Sequence, residues 1–536
     1  MSSHAAQPHV GVSKPAETPG GVAPDDAGAL TKKASAGMAW LMAQTLGYKI
    51  LSLFGTIYLT HLIDPEHLGQ MTLALGVAAF TNFLQQPGLR EVLVQRRARS
   101  PHWDEPALPL SLAFGVGAGV LTALAGPLGA WFWNSPGLVW LLLILAVQAP
   151  LSGLSVVPEA MLQSQLRFRA IAVLEFVRAV GLLLSQIGLA FALSSAGHRE
   201  WGAFALAAPV PVWAMFRCAG LWLAARPQVR WRPRPRLWRY LWTDSAKLFA
   251  ASLVGLFISQ GSLFVLGRWY DDRVVGLYAF AFNLSLITAV MLTQNIAMVV
   301  FPVLSTMQDQ PERLLRVFLR SGRLLNMIAV PLCLLQGALA EPFIRTVCQP
   351  KWAGSVEIMQ ALSVAMAFVV IWPSSRSLMQ AQGRYNLALV MQCLHATLFM
   401  SAVIVAARLG QGLAVAIGVA CVYAFIGIVD PFMGIRPLGG RLRDVLALFA
   451  GPSIAGLLGV VAPALAARAL FPADREWIPG LSGAFTTAYL PQAALACMAS
   501  AVTCVLVYRV VMPHELRELV GLGAKMLERV SGRFRR

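Results

Sequence analysis

Apolar residues in this chain fall into long runs separated by short clusters of Arg, Pro and turn residues. About fourteen of the runs reach the roughly 20 residues that a helix needs to cross the hydrocarbon core of a bilayer. They cover residues 36–60, 69–90, 107–132, 137–158, 170–194, 202–224, 246–267, 276–302, 323–347, 355–379, 386–407, 412–434, 445–470 and 485–511. The pattern predicts an all-α polytopic membrane protein. Polar positions inside the runs are not scattered. In the first run Thr45, Lys49, Ser52, Thr56 and Thr60 recur at spacings of three or four, which places them on one helix face. A polar stripe on a membrane helix must face other helices or water. The seventh run repeats the stripe with Ser252, Gly255, Ser259 and Ser262. The second run adds Thr81, Asn82, Gln85 and Gln86, and the eighth adds Asn283, Thr288, Thr293, Gln294 and Asn295. These four helices are expected to line one hydrophilic cavity.

Any single Ser or Thr in a membrane helix more often bonds its own backbone or knits two helices together. Lys49 is harder to dismiss, because an ammonium inside a span costs about 3 kcal/mol on insertion scales. It should meet water, a carboxylate or an anionic ligand.

Shifting the chain by 207 residues lays the first two runs on the seventh and eighth. Asp64 then meets Asp271, Gly69 meets Gly276, Ala74 meets Ala281, Ser52 meets Ser259 and Thr45 meets Ser252. The shared Asp-x4-Gly reads as a turn at the same boundary of each half, with Asp capping a helix and Gly letting the chain re-enter. A displacement of six spans preserves orientation, so two pseudo-symmetric six-helix lobes are expected, followed by a C-terminal helix pair. The divisions are residues 35–225 and 246–435 for the lobes, 226–245 for a basic loop between them and 436–511 for the extra pair. Residues 1–34 read as a disordered tail and 512–536 as a basic amphipathic tail lying on the inner leaflet.

Charge at first suggests another reading. The net charge is +18, the pI about 10.2, and "QVRWRPRPRLWRYLW" from Gln228 to Trp242 interleaves cations and indoles as a single-stranded nucleic acid site would. Yet 57% of residues are hydrophobic and only 13% charged, too few for a water-facing surface. The arginines also follow a topology. With the N-terminus inside, the inner connectors hold most of the cations, and the outer ones carry only Arg199, Arg268, Arg273, Arg345, Lys351, Arg408, Arg468 and Arg475. Both termini are therefore expected in the cytoplasm, and nucleic acid is not an expected partner.

Other intramembrane charges are Glu175 and Arg178, one turn apart, which can neutralise each other; Arg217, Lys247 and Glu357, near span ends and able to snorkel; and Glu341 and Asp430, as coupling or gating carboxylates or partners of nearby cations. The seven cysteines form no CxxC pair and read as small packing residues. Histidines lack ligand spacing, and no catalytic residue, metal site or cofactor motif is expected.

"YLTHLIDPEHLGQMTLA", "VRWRPRPRLWRYLWTDSAKLFAASLVGLF", "FPVLSTMQDQPERLLRVFLRSGRL" and "AEPFIRTVCQPKW" resemble the Wzx-type polysaccharide transporters of the multidrug/oligosaccharidyl-lipid/polysaccharide exporter superfamily. The likeness covers residues 35 to about 435. It implies a V-shaped pair of lobes around a central, often cationic, cavity. It also implies flipping of undecaprenyl-diphosphate-linked oligosaccharides across a bacterial inner membrane, with membrane lipids and polysaccharide polymerase or export machinery as further partners. The family offers no shared catalytic motif, so the site rests on the stripes. Lys49, Arg178 and Arg217 are expected to attract the diphosphate, Thr45, Ser52, Thr56, Ser252, Ser259, Gln85 and Asn283 to face the sugar, and Glu175, Glu341 and Asp430 to couple or gate. The alternatives are a cation-coupled drug exporter and a membrane glycosyltransferase or polymerase acting on the same lipid.

Overall fold

A computed structural model describes residues 44, 47–85, 93, 104–227, 253–305, 310–471 and 487–521. The tail before them, Thr45, Lys247, Ser252 and the Arg/Trp loop lie outside the described residues, as does the side chain of Gln85. Among the described residues the elements are helical. The first six are α1 (47–62), α2 (Pro65–Gln85), α3 (Asp104–Trp133), α4 (Leu138–Ser164), α5 (Phe168–Ser195) and α6 (Arg199–Ala225). The next six are α7 (Leu253–Trp269), α8 (Asp272–Ser305), α9 (Pro311–Val347), α10 (Ser355–Ala381), α11 (Tyr385–Leu409) and α12 (Gly412–Leu438). Three more follow, α13 (Leu442–Leu470), α14 (Leu490–Val511) and α15 (513–521).

Eleven of these helices are long and apolar enough to cross a membrane. The other three expected runs coincide with α1, α2 and α7; these are shorter over the described residues or, in α2, broken by His67, Gln70, Thr72, Thr81 and Asn82. With 37 residues at 1.5 Å each, α9 is about 55 Å long and outreaches a core of about 30 Å.

The repeat read from the sequence is present in three dimensions. In the first set α3 packs on α4, α4 on α6 and α5 on α6; six helices on, α9 packs on α10, α10 on α12 and α11 on α12. α1 leans on α5, with Gly47 beside Phe176 and Gly55 beside Leu183, as α7 leans on α11, with Gly261 beside Phe399 and Met400. The extra helices α13 and α14 pack on α9.

Prolines interrupt many of these helices, and each leaves the carbonyl four residues earlier without its backbone donor. Little water reaches a bilayer core to replace it, and at four of these breaks a side chain of a neighbouring helix does so. Trp222 on α6 donates to the Leu154 carbonyl freed by Pro158 (3.1 Å), and Tyr508 on α14 to the Met327 carbonyl freed by Pro331 (2.7 Å). Asn326 serves Leu448 below Pro452 (3.2 Å), and Thr503 serves Gly459 below Pro463 (2.6 Å), where α13 loosens into a π turn over Leu457–Val461. Polar side chains here stitch helices together at their own breaks.

The described part of the C-terminal tail packs on the protein as well as carrying an amphipathic face. Glu515 and Glu518 of α15 pair with Arg323 (2.8 Å) and Arg320 (2.6 Å) of α9, and Leu516 joins a small core with Met327, Tyr508 and Met512. Of the cysteines, Cys218, Cys333 and Cys348 are buried, whereas Cys393, Cys421 and Cys497 lie on the helix surface.

Candidate functional site

Between the two helix sets lies a cavity of about 330 Å³ lined by Tyr48, Lys49, Ser52 and Thr56 of α1, Leu68 of α2, and Phe280, Asn283 and Ile287 of α8, among others. The stripe on α1 therefore faces the facing lobe, as its spacing required, and meets the polar face of α8. Lys49 is half-buried and forms no hydrogen bond or ion pair with the described residues, and neither do Ser52 and Thr56. An ammonium with hydroxyls one and two turns along the same helix face, and apolar walls behind them, is a site that attracts an anion and can bond a polyol beside it.

Other stripe residues are occupied locally. Asn283 also donates to its own Ala279 carbonyl (2.9 Å), and Ser259 is exposed on α7 and bonds back to Leu256 (3.1 Å) without lining the cavity. Thr81 bonds Thr122 (2.5 Å) and so ties α2 to α3. Thr60 bonds Ile57 (2.6 Å).

Arg178 and Arg217 do not stand beside Lys49. They line a second cavity of about 200 Å³ inside the first lobe, with Gln148, Ser152, Ser155 and Glu175. Arg178 donates to Glu175 (3.0 Å through Nε), while Arg217 bridges Glu175 (2.9 Å) and Glu159 (2.8 Å). Arg217 is thus held between two carboxylates from α4 and α5 and does not snorkel. Two arginines and two glutamates balance, because an unpaired charge at this depth is far costlier than a pair. Glu159, only 7% exposed at its side chain, is the member that the apolar pattern did not reveal.

The remaining carboxylates are separate again. Glu341 pairs with Arg345 and with Arg468 (both 3.1 Å), tying α9 to α13. Asp430 is buried on α12 near Arg376 of α10, at the place where α10 breaks ahead of Pro373.

One end of the central cavity is closed by a crossing of α2 over α8. A Cβ added at Gly69 would fall on the Asp272 carbonyl, and one at Gly276 on the Pro65 carbonyl. Residues 65 and 272, like 69 and 276, are partners in the repeat, so the contact is reciprocal about a pseudo-two-fold axis. The shared glycines therefore act in close helix approach within α2 and α8, not in the turn that the sequence suggested. Around the crossing, Gln70 (2.9 Å) and Ser135 (2.8 Å) donate to Asp272, and Trp133 to Phe264 O (3.0 Å). Lys351 pairs with Asp64 (2.8 Å), and the buried Trp352 donates to Thr60 O (3.0 Å). Desolvation works against the Asp64 carboxylate, but the hydrogen bond and charge of Lys351, with His67 and Arg199 nearby, outweigh it and hold its pKa below the ordinary value.

Residues 58–357 match the family described as polysaccharide biosynthesis protein. The chain belongs to that family. Among curated relatives, the teichuronic acid biosynthesis protein TuaB of Bacillus subtilis is 21% identical over 417 residues, 76% of this chain and 82% of its own. The lipopolysaccharide biosynthesis protein WzxC of Escherichia coli is 23% identical over 433 residues, 78% and 84%. The succinoglycan biosynthesis transport protein ExoT of Rhizobium meliloti is 23% identical over 343 residues, 60% and 66%. The fold is shared with the lipid II flippase MurJ in an inward closed conformation, at a TM-score of 0.69 and 12% identity over 88% of this chain and 99% of that one. It is also shared with a multidrug resistance MATE family transporter in an inward-facing conformation, at 0.59 and 15% over 77% and 99%.

Proposed function

We propose that this protein is a flippase that moves a lipid-linked oligosaccharide across a bacterial inner membrane by alternating access, for the assembly of an exopolysaccharide, capsule or O-antigen. The observation that carries the reading is Lys49, which has no partner among the described residues, in the cavity between the lobes, followed along its helix face by Ser52 and Thr56 and faced by Asn283. A diphosphate-linked sugar is an anion with a polyol attached, and it needs a cation and hydroxyls in a wet cavity. Lys49 neutralises the diphosphate, taken to be carried on undecaprenol. Ser52, Thr56 and Asn283 bond sugar hydroxyls. The Glu159, Glu175, Arg178 and Arg217 cluster ties α4, α5 and α6 into one unit while the lobes rock. The termini face the cytoplasm, and the end closed by α2 and α8 faces outward. For net transport this end must open while the other closes.

The test is Lys49→Ala in cells from which the native gene is deleted. Surface polymer should be lost and an undecaprenyl-linked intermediate should accumulate, at wild-type protein level; Lys49→Arg should retain part of the activity. Normal polymer from Lys49→Ala cells overturns the assignment.

A further inference from the structure

A groove of about 780 Å³ runs along the surface between α5 and α6, away from the interlobe cavity. Its walls are Ala170, Val173 and Leu174 of α5 and Phe216, Gly220 and Leu223 of α6, with Val173, Phe216 and Leu223 exposed. Arg167 and Arg169 stand at one end, both exposed, where α5 begins and α6 finishes. Arg167 is fixed there by donating to the Ala224 carbonyl at the end of α6 (2.9 Å).

We propose that this groove binds one anionic phospholipid, its phosphate on Arg167 and Arg169 and an acyl chain along Val173, Phe216 and Leu223. Basic pockets between membrane helices at the level of the headgroups take anionic lipids, because guanidinium forks match phosphate oxygens while the walls below accept hydrocarbon. The lining also decides between lipid classes. Among the described residues every lining side chain apart from the two arginines is apolar, so once a phosphate occupies the arginines no lining side chain is left to bond a sugar, whereas the interlobe cavity sets Lys49 among Ser52, Thr56 and Asn283. The groove therefore suits a lipid whose head is a phosphate diester, not the lipid-linked sugar. The inference requires only that this end of α5 lies at a leaflet surface, and it stands or falls apart from the transport reading.

The test is native mass spectrometry of the full chain purified in mild detergent, titrated with phosphatidylglycerol, phosphatidylethanolamine or inorganic phosphate. One phosphatidylglycerol should be retained in preference to phosphatidylethanolamine, and inorganic phosphate should not displace it. Arg167→Gln with Arg169→Gln should weaken retention about 30-fold. Ala170→Trp, which fills the groove and keeps both arginines, should abolish it. Arg313→Gln with Arg316→Gln, removing equal exposed charge on α9, should leave it unchanged. Equal retention of both lipids, displacement by phosphate, or equal loss in the α9 variant overturns the proposal. Because Ala170→Trp tests the groove without touching the Arg167 bond to α6, a folding defect in the arginine variant does not decide the result.

Discussion

Replacing Gly69 by Ala adds one methyl group at the crossing of α2 and α8. The new Cβ would overlap the Asp272 carbonyl and lie 3.0 Å from the Gly276 nitrogen. Both are backbone atoms, so relief requires the two helices to move apart. Overpacking of this kind costs about 1–3 kcal/mol. The cost falls on the closed arrangement alone, because the clash does not exist once α2 and α8 separate. A penalty confined to one of two states shifts their ratio by about 5- to 150-fold. The readout is a cysteine at Ser52, in the cavity beneath the crossing, probed on whole cells with a membrane-impermeant thiol reagent against the background of the native cysteines. Gly69→Ala should raise labelling several-fold, and Gly276→Ala, its partner about the pseudo-axis, should do the same. Gly188→Ala on α5, where a Cβ meets nothing within 4 Å, should not. Unchanged labelling in Gly69→Ala at wild-type protein level, or an equal rise in Gly188→Ala, refutes the idea that this crossing keeps the outer end shut.

Two further outcomes follow from the ion pairs. Arg217→Ala leaves Glu159 and Glu175 without their shared cation and should lower stability by about 3–5 kcal/mol, seen as a depressed unfolding temperature in detergent and partly restored by adding Glu159→Gln; a variant as stable as wild type would show that the cluster does not hold α4, α5 and α6 together. Asp64, whose pKa is lowered by Lys351, contributes to closure above the ordinary Asp value of about 4 and loses that contribution as pH falls through its own lower value. Labelling of the Ser52→Cys reporter, divided at each pH by that of the same cysteine in the unfolded protein to remove the thiolate's own pH dependence, should therefore stay flat from about pH 8 to 5 and rise only below about 4, an increment that Asp64→Asn removes; a rise near pH 6 would assign the effect to another group.

The sequence carried the features that depend on periodicity. A spacing of three and four put Lys49, Ser52 and Thr56 on one face, and that face lines the cavity because a membrane helix has nowhere else to put hydroxyls and an ammonium. It could not carry the rotation of a helix that is apolar nearly all round. α5 is such a helix, and its Arg178 turns into the first lobe and not toward Lys49. Glu159 was hidden because it sits one residue past the expected end of its apolar run, while α4 continues to Ser164. The proline partners were hidden for a different reason. Pro158 and Pro331 announce freed carbonyls, but which helix supplies Trp222 or Tyr508 is a matter of tertiary packing.

The closed end combines a symmetric backbone contact with an asymmetric polar one, and the difference bears on how it opens. Gly69 and Gly276 are equivalent in the repeat, and each approaches the other helix's backbone equally closely. The side chains around them are not equivalent. Asp272, which receives Gln70 and Ser135, stands where the first half has Pro65, and Gln70 stands where the second half has Leu277. Asp64 reaches across to Lys351, whereas its counterpart Asp271 stays at home and accepts the Val274 N–H at the start of α8 (3.2 Å). A duplicated helix pair supplies the geometry of closure, but nothing in duplication makes that closure release. The bonds that differ between the halves can be tuned one at a time, and partly exposed ion pairs such as Asp64–Lys351 are worth only about 0–1 kcal/mol. The glycines let the two lobes meet, and the weak, unequal polar contacts around them keep that meeting reversible.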